Sequence, residues 1–329
     1  MKPRDRIRAA LALERPDRPP AGWWGHTYRQ EWSAEDLAAA TVDRQRAFSW
    51  DFVKLQPRAS CFAEAFGSEY RPSDDPGAGP VLVRPAVATV EDWARLPAAD
   101  GGTPALGDQV EALRMVVDQV GPSVPVIQTV FSPLTVAGYL VGEDRSRMVA
   151  ELRGRTPSVD AALARIADTL GDLAARSVVA GAAGVFFAIS DFASADLLSL
   201  AEYEDLALPH DVRVLTSVPE EAWCNVLHLC GPRLHFGLAS ELETHAVSWS
   251  IHEPGNPSLA EGQARSGRAV MGGIDLQTLV GGGPDAVREQ GRAAVAKTEG
   301  CGLLLAPGCS IPPGAPEENL RAMMEAVAT

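Results

Sequence analysis

Asn225-Val226-Leu227-His228-Leu229-Cys230-Gly231 reads as a buried β-strand that ends in His-x-Cys, with a glycine beyond. Residues i and i+2 of a strand point to the same side. His228 and Cys230 therefore present an imidazole and a thiol to one point. A third soft donor, Cys309, stands in Leu303-Leu304-Leu305-Ala306-Pro307-Gly308-Cys309-Ser310, again behind an apolar run. One imidazole and two thiolates with an open fourth position are the donor set of a catalytic zinc site. Such a site requires a fold that brings the ends of two distant strands together.

Outward from this stretch the chain alternates. Apolar strand patterns fall at 21–25, 52–55, 124–130, 184–189, 225–229, 246–251, 269–274 and 302–305. Helical spacing lies between most of them, and 158–179 repeats Val159, Leu163, Ile166, Leu170 and Leu173 every three or four residues. Further helices are expected at 34–48, 109–120, 133–140, 200–208, 258–266, 284–298 and 316–327. Eight strands alternating with helices predict parallel pairing and a single α/β domain over 1–329, a (β/α)₈ TIM barrel. An N-terminal helix, residues 4–13, precedes it and is broken by Arg15-Pro16-Asp17-Arg18-Pro19-Pro20. An irregular excursion at 56–90, rich in Pro, Gly and Asp, follows the second strand and is read as a small hairpin or lid. A doubly wound sheet is the weaker alternative, because no Gly-x-Gly-x-x-Gly follows an early strand; Gly281-Gly282-Gly283 comes late and reads as loop.

Composition narrows the function. A net charge of −14 over 329 residues argues against nucleic acid and anionic membrane as partners. No run of about 18 apolar residues exists to span a membrane, and Met1-Lys2-Pro3-Arg4-Asp5-Arg6 has no apolar signal core. Five cysteines spread over the chain do not form a disulfide framework. A cytoplasmic location, where free thiolates bind metal, is the expectation. Cys61, Cys224 and Cys301 lack metal-capable partners and read as structural.

Barrel enzymes keep their chemistry at the C-terminal ends of strands. Those ends carry Trp24-Gly25-His26, Gln56-Pro57-Arg58, Ser190-Asp191, His228-Leu229-Cys230, His252-Glu253, Ile274-Asp275 and Gly308-Cys309. His26, Tyr28, Lys54 and Arg58 are candidate substrate-binding residues, with Lys54 or Arg58 positioned to hold an acidic group. Asp191, Glu253 and Asp275 are candidates for a fourth metal ligand, Asp275 having a competing reading as a helix cap. Two cysteine ligands donate charge to zinc and weaken water activation, so binding an external thiol as thiolate is the favoured use. Activating water is the competing one.

Several stretches together resemble the uroporphyrinogen decarboxylase superfamily. Arg6-Ile7-Arg8-Ala9-Ala10-Leu11 with Asp17-Arg18-Pro19-Pro20 looks like its opening helix and turn, and Ser132-Pro133-Leu134-Thr135-Val136-Ala137-Gly138-Tyr139 like its Pro-x-Thr-x-x-x-Tyr segment. Leu206-Ala207-Leu208-Pro209, Met271-Gly272-Gly273-Ile274-Asp275 and Gly308-Cys309-Ser310-Ile311-Pro312 complete the likeness. Within the superfamily the chain is similar to the zinc-dependent methylcobamide:coenzyme M methyltransferases, whose His-x-Cys and distant Cys ligands fall on His228, Cys230 and Cys309. In the tetrapyrrole decarboxylases an Arg-Gln-Ala-Gly-Arg motif holds substrate carboxylates. Here Trp23-Trp24-Gly25-His26-Thr27-Tyr28-Arg29-Gln30 has one arginine, and their Gly-His-Gly-Ile is replaced by Gly308-Cys309-Ser310-Ile311.

The resemblance implies a transferase that moves methyl from a corrinoid such as methylcobalamin to a small-molecule thiol on Zn²⁺. It places Tyr139 and Asp191 among catalytic candidates and Glu253 beside the three ligands. No Asp-x-His-x-x-Gly segment is present, so a corrinoid protein is the expected partner; the family often forms a homodimer. Another zinc-dependent reaction, such as a lyase, hydrolase or decarboxylase, and a non-catalytic corrinoid- or metabolite-binding role are the alternatives.

Overall fold

The computed structural model describes residues 1–327. Seven strands form one parallel sheet: β1 (Val53–Leu55), β4 (Val126–Phe131), β5 (Gly184–Ser190), β6 (Val226–Cys230), β7 (Ala246–Ser248), β8 (Ala269–Ile274) and β9 (Leu303–Pro307), in that spatial order. A separate antiparallel pair, β2 (Glu69–Arg71) and β3 (Val81–Arg84), makes the hairpin expected after the second strand. The parallel strands are buried along nearly their whole length, and helices separate them, as parallel pairing requires.

The sheet closes through residues 21–25. Ala21 bridges Leu305 in parallel and Gly25 bridges Ile311. On the other side Asp51 N–H donates to the Ala21 carbonyl at 2.9 Å. This segment fills the eighth place of a TIM barrel, but as isolated bridges, where a continuous strand was expected. The cause is local. Pro20 has no N–H to give, and the Ala21 N–H bonds the Asp51 carboxylate at 2.8 Å instead of a strand carbonyl. The sixth expected strand, 246–251, also stops early at Ser248. The chain turns there as Trp249 Nε1 bonds the Pro257 carbonyl and Asn256 Nδ2 bonds that of Ser250.

Asp51 is the clamp of the closure. Its buried carboxylate also accepts from Arg6 Nη1 at 2.6 Å and Arg18 Nη1 at 2.6 Å. One carboxylate thereby ties the N-terminal helix Pro3–Leu11, the Pro-rich turn and the closing segment to the sheet. Removing one partner of a buried ion pair leaves the other charges uncompensated, at about 3–5 kcal/mol. Asp51→Ala is expected to cost that much in denaturant unfolding and to speed amide exchange in 21–25 first.

The helix expected at 200–208 ends at Leu206, and a further helix, Leu208–Thr216, follows it; the pair carries a second buried acid. Asp211 accepts from the Tyr203 hydroxyl at 2.5 Å, and its other oxygen has no partner among the described residues. Burial pushes its carboxyl up to about 8 from 3.8. The unfolded chain loses this proton near 3.8 and the folded one near 8, so the unfolded state holds fewer protons between the two. Stability therefore falls across that window as pH rises, by on the order of 5 kcal/mol in all. Asp211→Asn removes the titration. Its melting temperature is expected to match wild type at pH 4 and to exceed it by a gap that widens up to pH 8 and is constant above.

Candidate metal centre

Register brings the donors together. Ala188 pairs with His228 and Ser190 with Cys230 across β5 and β6, so the histidine and cysteine share a face. Cys309 follows β9, three strands away, and reaches the same point because the sheet curls. Gly308 permits the last approach: a Cβ there would lie 2.7 Å from the Ser250 side chain, closer than real contacts allow. One ligand atom from each of His228, Cys230 and Cys309 lies within 4.8 Å of the others.

These positions fit a tetrahedral ion. Zinc–thiolate bonds of about 2.3 Å put two sulfurs about 3.8 Å apart along a tetrahedral edge. The Cys230 and Cys309 Sγ atoms are 3.7 Å apart. His228 Nδ1 is 3.1 Å from Ser248 Oγ, its register partner on β7. With Nδ1 protonated and donating to Ser248, Nε2 keeps its lone pair for a metal. The Cys309 thiol is held well below its usual range, because Cys230 donates an S–H to it and His228 lies beside it. Burial pushes the Cys224 thiol up to about 12 and raises that of Cys61 as well. These two are core residues, as their lack of partners suggested.

The mouth residues form one network on the β1 side. Lys54 Nζ donates to Gln56 Oε1. Gln56 Oε1 also accepts from Ser310 Oγ at 3.3 Å, while its Nε2 lies 3.0 Å from His26 Nε2. His26 Nδ1 contacts the buried Glu31 carboxylate at 3.0 Å, and Tyr28 stacks on the His26 ring at 4.6 Å. Lys54 lies over Phe186 at 5.0 Å, and Phe186 stacks on His228 at 5.0 Å. Burial lowers Lys54 to about 7, against the raising effect of Cys309 and Glu31. Arg58 is committed elsewhere: it bonds the Glu64 carboxylate and the Glu31 carbonyl.

Asp191 and Tyr139 meet on the β5 side. Asp191 has a positive φ of 64°, a strained conformation for a residue with a side chain. Its N–H donates to the Cys230 carbonyl at 3.2 Å, and its carboxylate pairs with Arg145. Tyr139 lines a small cavity with both, its hydroxyl raised chiefly by burial. Glu253 is exposed on the loop after β7 and lies outside the three-residue cluster. Asp275 caps the helix Leu276–Gly281, accepting from the Thr278 N–H.

Three supporting residues escaped the sequence reading. Ser248 had a signal, a serine inside an apolar strand. Gln56 was quoted only as a neighbour of Arg58. Asn256 had none, yet its amide bonds the Gly231 and Ser250 carbonyls and the Leu234 N–H, stitching the loops after β6 and β7. A cavity of about 720 Å³ lies at the opposite end, among Asn225, Thr244, His245 and Arg268, which precede the strands. That face of a barrel serves stability, so the His228, Cys230 and Cys309 cluster at the C-terminal ends is the candidate site. Among the described residues no helix is long and apolar enough to cross a membrane.

An α/β barrel with a His/Cys/Cys cluster at the C-terminal ends of its strands has the donor set of a candidate metal centre. By its sequence the chain belongs to the uroporphyrinogen decarboxylase (URO-D) family, whose model matches residues 2–329. It is 25% identical to the methylcobamide:CoM methyltransferase MtbA of Methanosarcina mazei, over 98% of this chain and 96% of that protein. It is 32% identical to the uroporphyrinogen decarboxylase of Mycolicibacterium smegmatis, over 67% of this chain and 64% of that one. A solved methyltransferase from Methanosarcina mazei superposes with a TM-score of 0.85 at 22% identity, covering 100% of this chain and 98% of the other. Losing a histidine's outer hydrogen bond typically costs 10- to 100-fold in metal affinity. Ser248→Ala is expected to lose about that much in chelator competition, with folding unchanged.

Proposed function

We propose that the protein is a zinc-dependent methyltransferase that moves a methyl group from a corrinoid to a small-molecule thiol. The observation that carries this reading is the cluster itself: two sulfurs a tetrahedral edge apart, beside an imidazole whose second nitrogen is already bonded. Similarity to methylcobamide:CoM methyltransferases along nearly the whole chain supports it. His228, Cys230 and Cys309 are the proposed ligands. Glu253, from the neighbouring loop, is the proposed occupant of the fourth position before thiol binds.

Zinc held by His228, Cys230 and Cys309 would supply a site at which an external thiol has a lowered pKa and would be thiolate at neutral pH. The chain's own residues do the rest. Ser248 fixes the His228 tautomer. Trp24, Phe186 and Phe131 supply an apolar interior in which a thiolate is poorly solvated and reactive. Lys54 and the His26–Tyr28 edge bound the acceptor, and Tyr139 and Asp191 the opposite wall. The acceptor sulfur would take the methyl carbon in line, and the carbon–cobalt bonding pair would stay with the donor. No corrin-binding segment is evident in the chain, so the donor is presented by a corrinoid protein. Alignment and a ready nucleophile are the main requirements.

Decarboxylation of a polycarboxylate tetrapyrrole fits less well. Arg29, the one arginine in the stretch that matches the decarboxylases' Arg-rich motif, bonds the Asp74 carbonyl in the hairpin and is exposed. The test combines metal analysis with transfer. One zinc per chain is expected, lost in His228→Ala and Cys309→Ala. Methylcobalamin with a panel of thiols is expected to give thioether in wild type and at least about 100-fold less in either variant. Zinc at full occupancy with no thioether from any thiol would sink the reading.

A further inference from the structure

Among the described residues three cations are buried: Arg6, Lys54 and Arg58. Arg6 bonds the carboxylates of Asp17 and Asp51, and Arg58 that of Glu64. Lys54, only 5% exposed, has no carboxylate partner among them. Its hydrogen bond goes to the neutral amide of Gln56. Glu31 acts on it through space, but both Glu31 oxygens already face His26 Nδ1, and one accepts from the Thr27 N–H. The faces of Trp24 and Phe186, at 5.7 and 5.0 Å, offset part of the desolvation. A buried ammonium without an anion is costly and calls for an explanation.

Charge counting supplies one. A divalent ion, two cysteinates and a neutral imidazole sum to zero. An added acceptor thiolate makes the assembly −1, inside a barrel lined by apolar rings. Cys309 acts on Lys54 through space. Through Gln56 the lysine connects to Ser310, the residue after Cys309, and Phe186 lies between it and His228. Gln56 is itself braced by His26, so the amide that the lysine bonds is held in place.

We propose that Lys54 is the counter-cation of the metal-bound acceptor thiolate, and does not anchor a distal acidic group of the acceptor. The proposal rests on the thiol-transfer reading. It assigns the charge requirement of the site to the sulfur, so thiols with and without an acidic tail meet the same lysine. The titratable and charged groups around it are Cys309, His228, His26 and Glu31.

The test uses protein loaded with cobalt(II) in place of zinc and follows, during titration, the thiolate-to-cobalt absorption that an added thiol contributes above that of Cys230 and Cys309. The two thiols are 2-mercaptoethanol, which is neutral, and 2-mercaptoethanesulfonate, which carries an acid. An opposite charge nearby shifts a pKa by about 1–3 units. In Lys54→Met both thiols are expected to bind about 10- to 100-fold more weakly at neutral pH, by the same factor. The pH at half-formation of the band should rise by about 1–2 units, with metal content and melting temperature unchanged. Lys54→Gln retains a polar end beside Gln56 and gives the same readout if the Met variant fails to load metal. Weakening confined to the sulfonate, or no weakening of either thiol, overturns the proposal. Wild-type protein that loads cobalt and shows no thiol band with either probe instead rejects the transfer reading, and the counter-cation falls with it.

Discussion

Closure of the barrel hangs on Asp51. One buried carboxylate holds Arg6, Arg18 and the Ala21 N–H, and so seats a segment that has few ladder bonds of its own between β9 and β1. The consequence reaches the site. Cys309 lies two residues beyond β9, the strand that the closing segment bridges. If that edge opened, β9 would lose a neighbour and Cys309 would lose the fixed direction that puts its sulfur 3.7 Å from Cys230. The Asp-Arg-x-Pro turn of this chain is thus tied to the metal site through backbone pairing, without touching it.

Two layers of support surround the cluster, and they differ in kind. On the β6–β7 side the support is backbone-directed: Asn256 bonds the carbonyls of Gly231 and Ser250, and Ser248 orients His228. These contacts set positions and carry no charge. On the β1 side the support is a charged network running Lys54, Gln56, His26 and Glu31. A neutral frame on one side and a polarised one on the other give the interior an electrostatic direction. Its positive end lies beside Cys309.

The sequence made the fold legible because its signals were local and repeated. Buried parallel strands read as short apolar runs, and the periodic helix Pro157–Val179 left little doubt of its type. His228, Cys230 and Cys309 were legible because each follows or ends a strand, and strand ends converge in a barrel. What stayed hidden was pairwise. Nothing near Asn256 in sequence announces that its amide spans two loops. Nothing in Asp51 shows that it will take the Ala21 N–H from the ladder. The helix Arg145–Arg153 was missed too, and with it the arginine that pairs with Asp191. Asp275 shows the reverse case: its local role as a helix cap could be read directly, and the structure commits its carboxylate to it.

On the proposed reading, cysteine at 309 gives the shared fold a thiol chemistry. A barrel that binds a polycarboxylate needs cations at its mouth, and this one commits Arg58 to Glu64 and turns Arg29 toward Asp74. Among the described residues Lys54 is the one buried lysine or arginine without a carboxylate partner, and Cys309 acts on it through space. The distribution of positive charge therefore follows the donor set. An acceptor thiolate held in the floor would call for a cation in the floor, and the mouth can be left nearly neutral. A relative that takes no thiolate acceptor would have no such charge to balance. A buried lysine at position 54 would then carry only its desolvation cost, so lysine there is expected to accompany a thiol-binding floor.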